Sequence, residues 1–373
     1  MRVKALSAFY DWLLKDTVSQ LFFIKLAFKS INYIMKKQVF FILSFIFSFQ
    51  IFAQDTESSN SLFEDQTPLK VKINYSNKEM NKKTNDSTYI TTDLSYMDGS
   101  SWKTFEVNLR ARGNFRRAKC YFPPIKMKIK KANREGTLFS ENKTLKLVLP
   151  CLQQKEKNDN IIQELLGYKF YEVFSPYHFK TRELDIEFEE PKGKKTKVYQ
   201  LKGFLIEDDK KVAKRFDGRV FERYTHPLAM DATTSVQNTF FQYMIGNTDF
   251  SVAYQHNGKL LFVNKKIMPL PYDFDMSGLV NASYAVANET LGISSVRERK
   301  YRGFKRAQTI IDQVRDEFIS KKSKIFEIIE NYKDHFELES EYSSVKEYIE
   351  EFYEILEDDG AFQKNIVAQL RTK

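Results

Sequence analysis

The spacing of apolar residues changes along the chain, and this change limits the folds open to it. From about Leu69 to Leu149, short runs such as LKVKINYS, FEVNLRARG and LKLVLP alternate polar and apolar residues, as strands do. Apolar steps of three and four residues over 160–174 predict one helix, and RELDIEFEE and VYQLKGFLIE predict a hairpin. Helical spacing prevails after about Ala229. We therefore expect a two-lobed α+β domain, with a strand-rich N-lobe over about 69–228 and a helical C-lobe over about 229–373.

The first 54 residues have the pattern of targeting sequence. Met35-Lys36-Lys37 precedes an apolar run from Val39 to Phe52, and the small residue Ala53 follows it. This pattern predicts a signal peptide over 35–54, and hence an exported protein that is periplasmic, on the cell surface or secreted. Residues 1–34 then belong to a start codon assigned too early or, as the alternative, to an amphipathic leader. The polar stretch 55–68 predicts a flexible lead-in to a domain over 69–373, which has no further membrane span.

The net charge bears on which molecules the protein binds, and the cysteine content bears on whether it forms a disulfide. The net charge is +10, but residues 1–54 contribute seven Lys or Arg and two Asp, which leaves +5 for the remainder. Acidic and basic residues are interspersed in that remainder, which argues against nucleic acid as a partner. Cys120 and Cys151 are the two cysteines. Export permits a disulfide between them, but sequence spacing leaves two free thiols equally open.

Two acidic turns carry the candidate chemistry. Asp249 ends the sequence Gly-Asn-Thr-Asp after a helical segment, and Asp273 and Asp275 flank a phenylalanine after a short apolar strand. Carboxylates on two neighbouring loops can hold a divalent cation while one of them orients a hydroxyl. Asn257, eight residues after Asp249, is a further oxygen ligand for the metal. The structural alternative is that these aspartates cap turns.

A basic turn lies upstream of the acidic ones. Arg110, Arg112, Gly113, Asn114, Arg116 and Arg117 form this turn, and Lys126 and Lys128 lie on the alternating strand that follows. Glycine allows the backbone to approach a phosphate closely, and a strand lysine can supply the charge that holds it. The alternative is a solvated edge strand whose lysines prevent aggregation.

The order of these parts resembles the CotH family of atypical, secreted protein kinases over about residues 105–285. The resemblance implies a kinase-like fold, with Asp249 as the catalytic carboxylate that accepts or orients the attacking hydroxyl. It also implies that Asp273 binds the metal, and that Lys126 or Lys128 pairs with the phosphates of ATP. Further roles implied are nucleotide contacts for Arg112, Gly113, Asn114 and Glu207, and metal contacts for Asp275 and Asn257.

The function implied is a metal-dependent phosphotransferase that uses ATP with Mg²⁺ or Mn²⁺ and modifies a hydroxyl on a protein or small molecule. One departure is the loop FSVAYQHN after Asp249, which places Asn257 later than a typical kinase loop places its asparagine. The alternative is a non-catalytic, kinase-like protein that binds partners or organises the surface of a bacterial envelope. A metal-dependent phosphoesterase is a third interpretation, but the sequence offers few clustered ligands for it.

Overall fold

The computed structural model describes residues 61–113 and 115–372, which belong to one compact unit. The predicted leader over 1–34 and signal peptide over 35–54 lie outside the described residues. Within the predicted lead-in, α1 (Ser61–Glu64) is helical, and its Leu62 and Phe63 are buried. None of the helices in the described residues is both long enough and apolar enough to cross a membrane.

Seven strands form a closed barrel in the order β1-β2-β3-β4-β5-β7-β6. Neighbouring strands are antiparallel, apart from β1 and β6, which pair in parallel with Leu69 opposite Leu184 and Asn74 opposite Glu189. The strands are β1 (Leu69–Asn74), β2 (Ile90–Asp98), β3 (Ser101–Ala111), β4 (Ile125–Lys128), β5 (Thr144–Val148), β6 (Thr181–Lys192) and β7 (Lys195–Ile206).

The closed barrel shows that the predicted two-lobed, kinase-like fold is wrong. The strands expected in an open N-lobe sheet are present, but pairing of β1 with β6 closes them on themselves. Alternation specifies which residues of a strand face inward, but it does not specify the partner strand. In β4, Ile125 and Met127 are accordingly buried inside the barrel, whereas Lys126 and Lys128 alternate with them on the outer face.

Short helices fill the connections of the barrel, and a long helix packs against its outer face. The connecting helices are α2 (Asn77–Lys83), α3 (Phe115–Lys119) and α4 (Lys131–Arg134), and the long helix is α5 (Asp159–Phe174). Val148, Phe204 and Ile206 point out of the barrel and share a second hydrophobic core with α5.

The remaining chain completes this second core. It contains a three-stranded sheet in the order β10-β9-β8 and six helices. These elements are α6 (Asp209–Lys214), β8 (Arg219–Val220), α7 (Ala232–Met244), β9 (Gly258–Val263), β10 (Lys266–Pro271), α8 (Gln308–Ser320), α9 (Lys322–Asn331), α10 (Glu339–Glu357) and α11 (Asp359–Asn365).

A disulfide links Cys120, just after α3, to Cys151, just after β5, with a Cα–Cα distance of 4.5 Å. The backbone N–H of Tyr121 also donates to the carbonyl of Cys151 at 2.8 Å. The pairing that the sequence left open is therefore present, and it fixes the segment that carries Arg116.

Candidate functional site

Arg116 connects three parts of the candidate site. Its side chain is buried, and Nη1 donates to Oε2 of Glu164 on α5 at 3.3 Å. Its Nε lies 3.7 Å from Oδ2 of Asp275, in the loop after β10. Nη2 donates to the carbonyl oxygen of Leu149 at 2.7 Å, just after β5. One guanidinium thus joins the barrel, helix α5 and the Asp-Phe-Asp turn.

The Asp-Phe-Asp turn is held by its middle residue. Phe274 is fully buried, and its ring packs against Gly167 and lies 4.6 Å from the ring of Tyr168. Asp273 adopts a left-handed backbone conformation with φ of +67°, and its N–H donates to the Tyr168 hydroxyl at 2.9 Å. Such a conformation is uncommon for a residue other than glycine and is concentrated at functional sites. Asp275 accepts a hydrogen bond from the hydroxyl of Tyr284 at 3.1 Å.

Asp249 lies in a loop that its own neighbours hold in shape. Its N–H donates to Oδ1 of Asn247 at 2.9 Å, which is a local turn typical of asparagine. Asn257 donates from Nδ2 to the Asp249 carbonyl at 2.7 Å and to Oδ2 at 2.9 Å. Nε2 of His256 lies 3.0 Å from Oδ1 of the same carboxylate. Asn257, predicted as a metal partner, therefore contacts Asp249 directly.

The three aspartates interact electrostatically. Burial raises the pKa of Asp275, and the positive charge of Arg116 opposes this shift. The negative charges of Asp273 and Asp249 act in the same direction as burial. Burial also raises the pKa of Glu164, against the effect of Arg116, with further contributions from Asp275 and Asp273. The charges of the two acidic turns thus act on Asp275, but within residues 61–113 and 115–372 no three acidic, histidine or cysteine side chains are placed to hold one metal ion by themselves.

Lys146 is the basic residue of the site that the sequence analysis missed. It lies on the outer face of β5, with Nζ 4.3 Å from the ring centroid of Phe179 and 4.9 Å from that of Tyr272, next to Asp273. Burial, together with the charge of Arg112, lowers its pKa to about 8. The signal available in the sequence was a single lysine inside the apolar run LKLVLP.

The predicted strand lysines have different surroundings. Lys126 lies opposite Lys146 across the β4–β5 pair, so both belong to the same outer face. Nζ of Lys128 lies 4.5 Å from the ring centroid of Tyr89 and is exposed. The structure thus brings Lys126 to the edge of the site, whereas Lys128 engages another part of the barrel surface.

The predicted basic turn also reaches the site. The N–H of Arg112 donates to the carbonyl of Pro124 at 2.8 Å, and its charge acts on both Lys146 and Glu164. Gly113 has a φ of +75°, a conformation that favours glycine. Asn114 lies outside the described residues.

Glu207 belongs to a separate contact. Its Oε2 accepts the N–H of Lys180 at 3.1 Å and lies 3.3 Å from Nη2 of Arg215. Burial raises its pKa, and Arg215 opposes this shift. The structure shows Glu207 binding these two residues and shows no contact between it and the acidic turns among the described residues.

Four polar atoms of the site are buried without a hydrogen-bond partner among the described residues: Arg112 Nε, Arg116 Nε, Lys146 Nζ and Glu164 Oε1. Folded proteins satisfy nearly all buried polar groups, so such a concentration requires an explanation. Cationic donors suit a phosphate, and the adjacent carboxylates suit a divalent cation. Mg²⁺ is often held by one or two carboxylates together with the phosphates of a substrate, so the residues present fit a metal–nucleotide pair.

A cleft of large volume also lies away from the candidate site. A cleft of about 1110 Å³ lies at another part of the barrel and is lined by Asn77, Lys82, Tyr121 and Glu190, among others. None of the predicted site residues that the structure describes lines it. Comparison of the chain with protein-family models and with curated proteins found no match.

Proposed function

We propose that this protein is a metal-dependent phosphotransferase that moves the γ-phosphate of ATP to a hydroxyl group on a protein or small molecule. The observation that carries the proposal is that Nε of Arg112 and Nζ of Lys146 are buried without a hydrogen-bond partner among the described residues, while Nε of Arg116 lies 3.7 Å from the carboxylate of Asp275. A site that offers both charges in one buried place suits a phosphate chain and its cation together.

Each residue has a role in this proposal. Lys146 and Arg112 bind phosphate oxygens, with Lys126 at the edge of the same face. Asp273 and Asp275 would hold Mg²⁺ or Mn²⁺, which neutralises phosphate charge when bound. Asp249 orients the acceptor hydroxyl and takes its proton, and His256 and Asn257 fix the direction of its carboxylate. Catalysis is then mainly positioning and charge stabilisation.

A relation to the CotH family and export are parts of the same proposal. The order of the basic turn, the strand lysines and the two acidic turns supports the first, although the closed barrel is not the kinase-like fold that this resemblance implies. The disulfide between Cys120 and Cys151 supports the second, because disulfides persist chiefly in oxidising compartments.

One observation favours the alternative of a non-catalytic binding protein. Both carboxylate oxygens of Asp249 already have partners within the protein, His256 and Asn257. A carboxylate held in this way can be a structural feature of its loop. The test must therefore separate nucleotide binding from phosphate transfer.

The test is a thermal-shift titration with ATP and Mg²⁺ or Mn²⁺, since a ligand of the native state raises the melting temperature by mass action. Asp273→Asn is the informative variant, because asparagine tolerates the left-handed conformation while the charge is removed. Asp93→Asn, at an exposed position of β2, is the matched control. We expect a metal-dependent shift that Asp273→Asn abolishes and Asp93→Asn retains.

Labelled ATP then distinguishes the chemical outcomes. Transfer of label to an acceptor that is lost in Asp249→Asn supports the phosphotransferase. A thermal shift without transfer supports the non-catalytic protein, and release of free phosphate alone supports the phosphoesterase. Absence of any shift with either metal contradicts a nucleotide site.

A further inference from the structure

A groove of about 350 Å³ lies beside the loop of Asp249, and we call it the acceptor groove. Its lining includes Phe250 and Tyr254 of that loop together with Tyr224, Arg302, Phe304 and Arg371. The volume falls within the range of ordinary ligand sites. The groove is therefore lined by Phe250, the residue next to Asp249, to which we assign the acceptor hydroxyl.

Two tyrosines form an exposed wall of the acceptor groove. Tyr224 and Tyr254 are 59% and 78% exposed, and their ring centroids are 5.1 Å apart. Thr225, next to Tyr224, donates its N–H to the carbonyl of Ala253, next to Tyr254, at 3.4 Å. Exposed aromatic side chains held by neighbouring backbone are typical of binding surfaces.

Two arginines give the groove its charge. Arg302 donates from Nη1 to the carbonyls of Thr248 and Phe250, on either side of Asp249, at 2.7 Å each, and its Nε is buried without a hydrogen-bond partner. Arg371 donates to the carbonyl of Arg302, and its guanidinium lies 4.2 Å from the ring centroid of Phe304.

Neither guanidinium contacts a carboxylate among residues 61–113 and 115–372, since the hydrogen bonds of both go to backbone carbonyls. Burial lowers the pKa of Arg302, the charge of Arg371 lowers it further, and the charge of Asp249 opposes this shift. Two guanidinium groups close together carry more positive charge than this one aspartate offsets, so they are complementary to an anionic ligand, and guanidinium groups match the geometry of carboxylates.

We propose that the acceptor groove binds the acceptor as a peptide in which an acidic side chain lies close to the hydroxyl-bearing residue. The acidic side chain would face Arg302 and Arg371, the peptide would pack on Tyr224 and Tyr254, and the hydroxyl would reach Asp249. This proposal rests on the proposed function, because it names the acceptor of the same reaction.

The experiment measures binding of a fluorescein-labelled peptide containing Asp-Asp-Ser to the purified protein by anisotropy, without ATP. A second peptide has both aspartates replaced by asparagine. Arg371→Gln and Tyr254→Ala test the groove, and Lys305→Gln removes an exposed neighbouring charge as the control. We expect the acidic peptide to bind, and its affinity to fall about tenfold or more with the asparagine peptide or with Arg371→Gln, as loss of a charged hydrogen bond implies. Tyr254→Ala weakens binding and Lys305→Gln leaves it unchanged.

Equal binding of both peptides, or an unchanged affinity in Arg371→Gln, would overturn the proposal. Capture by phosphatidylglycerol vesicles without binding of the peptide would also overturn it, since the groove would then serve a membrane surface. The thermal shift with ATP and metal, measured on Arg371→Gln, separates the two proposals. A retained shift with no peptide binding removes the acceptor groove alone, whereas peptide binding with no shift in the wild type removes the nucleotide site alone.

Discussion

Lys146 is the residue whose surroundings most clearly require a ligand. Its Nζ is buried between the rings of Phe179 and Tyr272, and it has no hydrogen bond among the described residues. A buried ammonium without a carboxylate partner is costly, and burial accordingly lowers its pKa to about 8. Such groups are concentrated at functional sites.

Replacing Lys146 with methionine separates its function from its packing. Methionine keeps the length of the side chain and its contact with Phe179 and Tyr272, but it removes the buried charge. We expect the affinity for ATP with Mg²⁺, measured by calorimetry, to fall about tenfold or more. The melting temperature of the free protein should stay the same or rise, because an uncompensated buried charge is lost.

The pH dependence of binding provides the second readout of this variant. An anion raises the pKa of Lys146, so above about pH 8 binding requires uptake of a proton and becomes weaker. We expect the wild-type affinity to fall between pH 7 and pH 9 and this slope to be absent in Lys146→Met. Lys128→Met, on the exposed part of the same face, is the control. A lower melting temperature with unchanged affinity would show that Lys146 only supports the fold.

At the scale of elements, the sequence analysis located most strands and helices of the described chain. The alternation of IKMK predicts β4, and the helical spacing over 160–174 predicts α5, which spans Asp159–Phe174. The two acidic turns follow α7 and β10, and the charges of Asp273 and Asp249 both raise the pKa of Asp275. Periodicity works here because each element buries one face in a nearby core.

The contacts of the basic residues in the site were harder to predict from the sequence. Arg116 and Glu164 are 48 positions apart, and their contact depends on how α3 packs against α5. Lys146 lies between the buried Leu145 and Leu147 of β5, and the residues beside its Nζ, Phe179 and Tyr272, belong to distant parts of the chain. A sequence pattern indicates which face of a helix or strand is apolar, but it does not indicate which other helix or strand packs on that face.

Gly203 in β7 shows how tightly the barrel packs against its neighbours. An added Cβ would lie 2.6 Å from Cδ1 of Ile186 and 2.9 Å from the carbonyl oxygen of Val148. The second atom belongs to the backbone of β5 and cannot move without changing the sheet. We expect Gly203→Ala to lower the free energy of unfolding by about 1–3 kcal/mol, as overpacking does.

Urea denaturation checks this value. Gly258→Ala, in β9, is the matched control, because the nearest atoms to its added Cβ lie 3.9 Å away. We expect that control to differ from the wild type by less than about 0.5 kcal/mol. Equal stability of the two variants would mean that β7 has room at this position.

At the scale of the whole molecule, the kinase-like expectation was wrong because the order of elements along a chain is compatible with more than one sheet. The same strands form an open sheet or a barrel, depending on whether β1 finds β6. That contact pairs Leu69 with Leu184, which are far apart in sequence. No local pattern near either strand specifies this long-range parallel pairing.

A disulfide also links two segments that are distant in the sequence. Cys120 and Cys151 are 31 residues apart, and their bond ties the end of α3 to the segment that follows β5. The N–H of Cys120 donates to the carbonyl of Arg116 at 2.9 Å, so the bond also restrains the guanidinium at the centre of the candidate site. Loss of the bond should therefore weaken both the fold and the site.

Substitution of both cysteines with serine tests this link. A cross-link that closes a loop of this length reduces the entropy of the unfolded chain, and we expect its removal to lower the free energy of unfolding by about 3–4 kcal/mol in urea. A reducing agent should destabilise the wild type by a similar amount and should not affect the double variant. If the reducing agent leaves the wild type unchanged while the double variant is destabilised, the loss arises from packing of the two buried sulfur atoms. If both losses occur and the ATP-induced shift also decreases, the oxidised state is required for the site, and the protein is suited to work in an oxidising compartment.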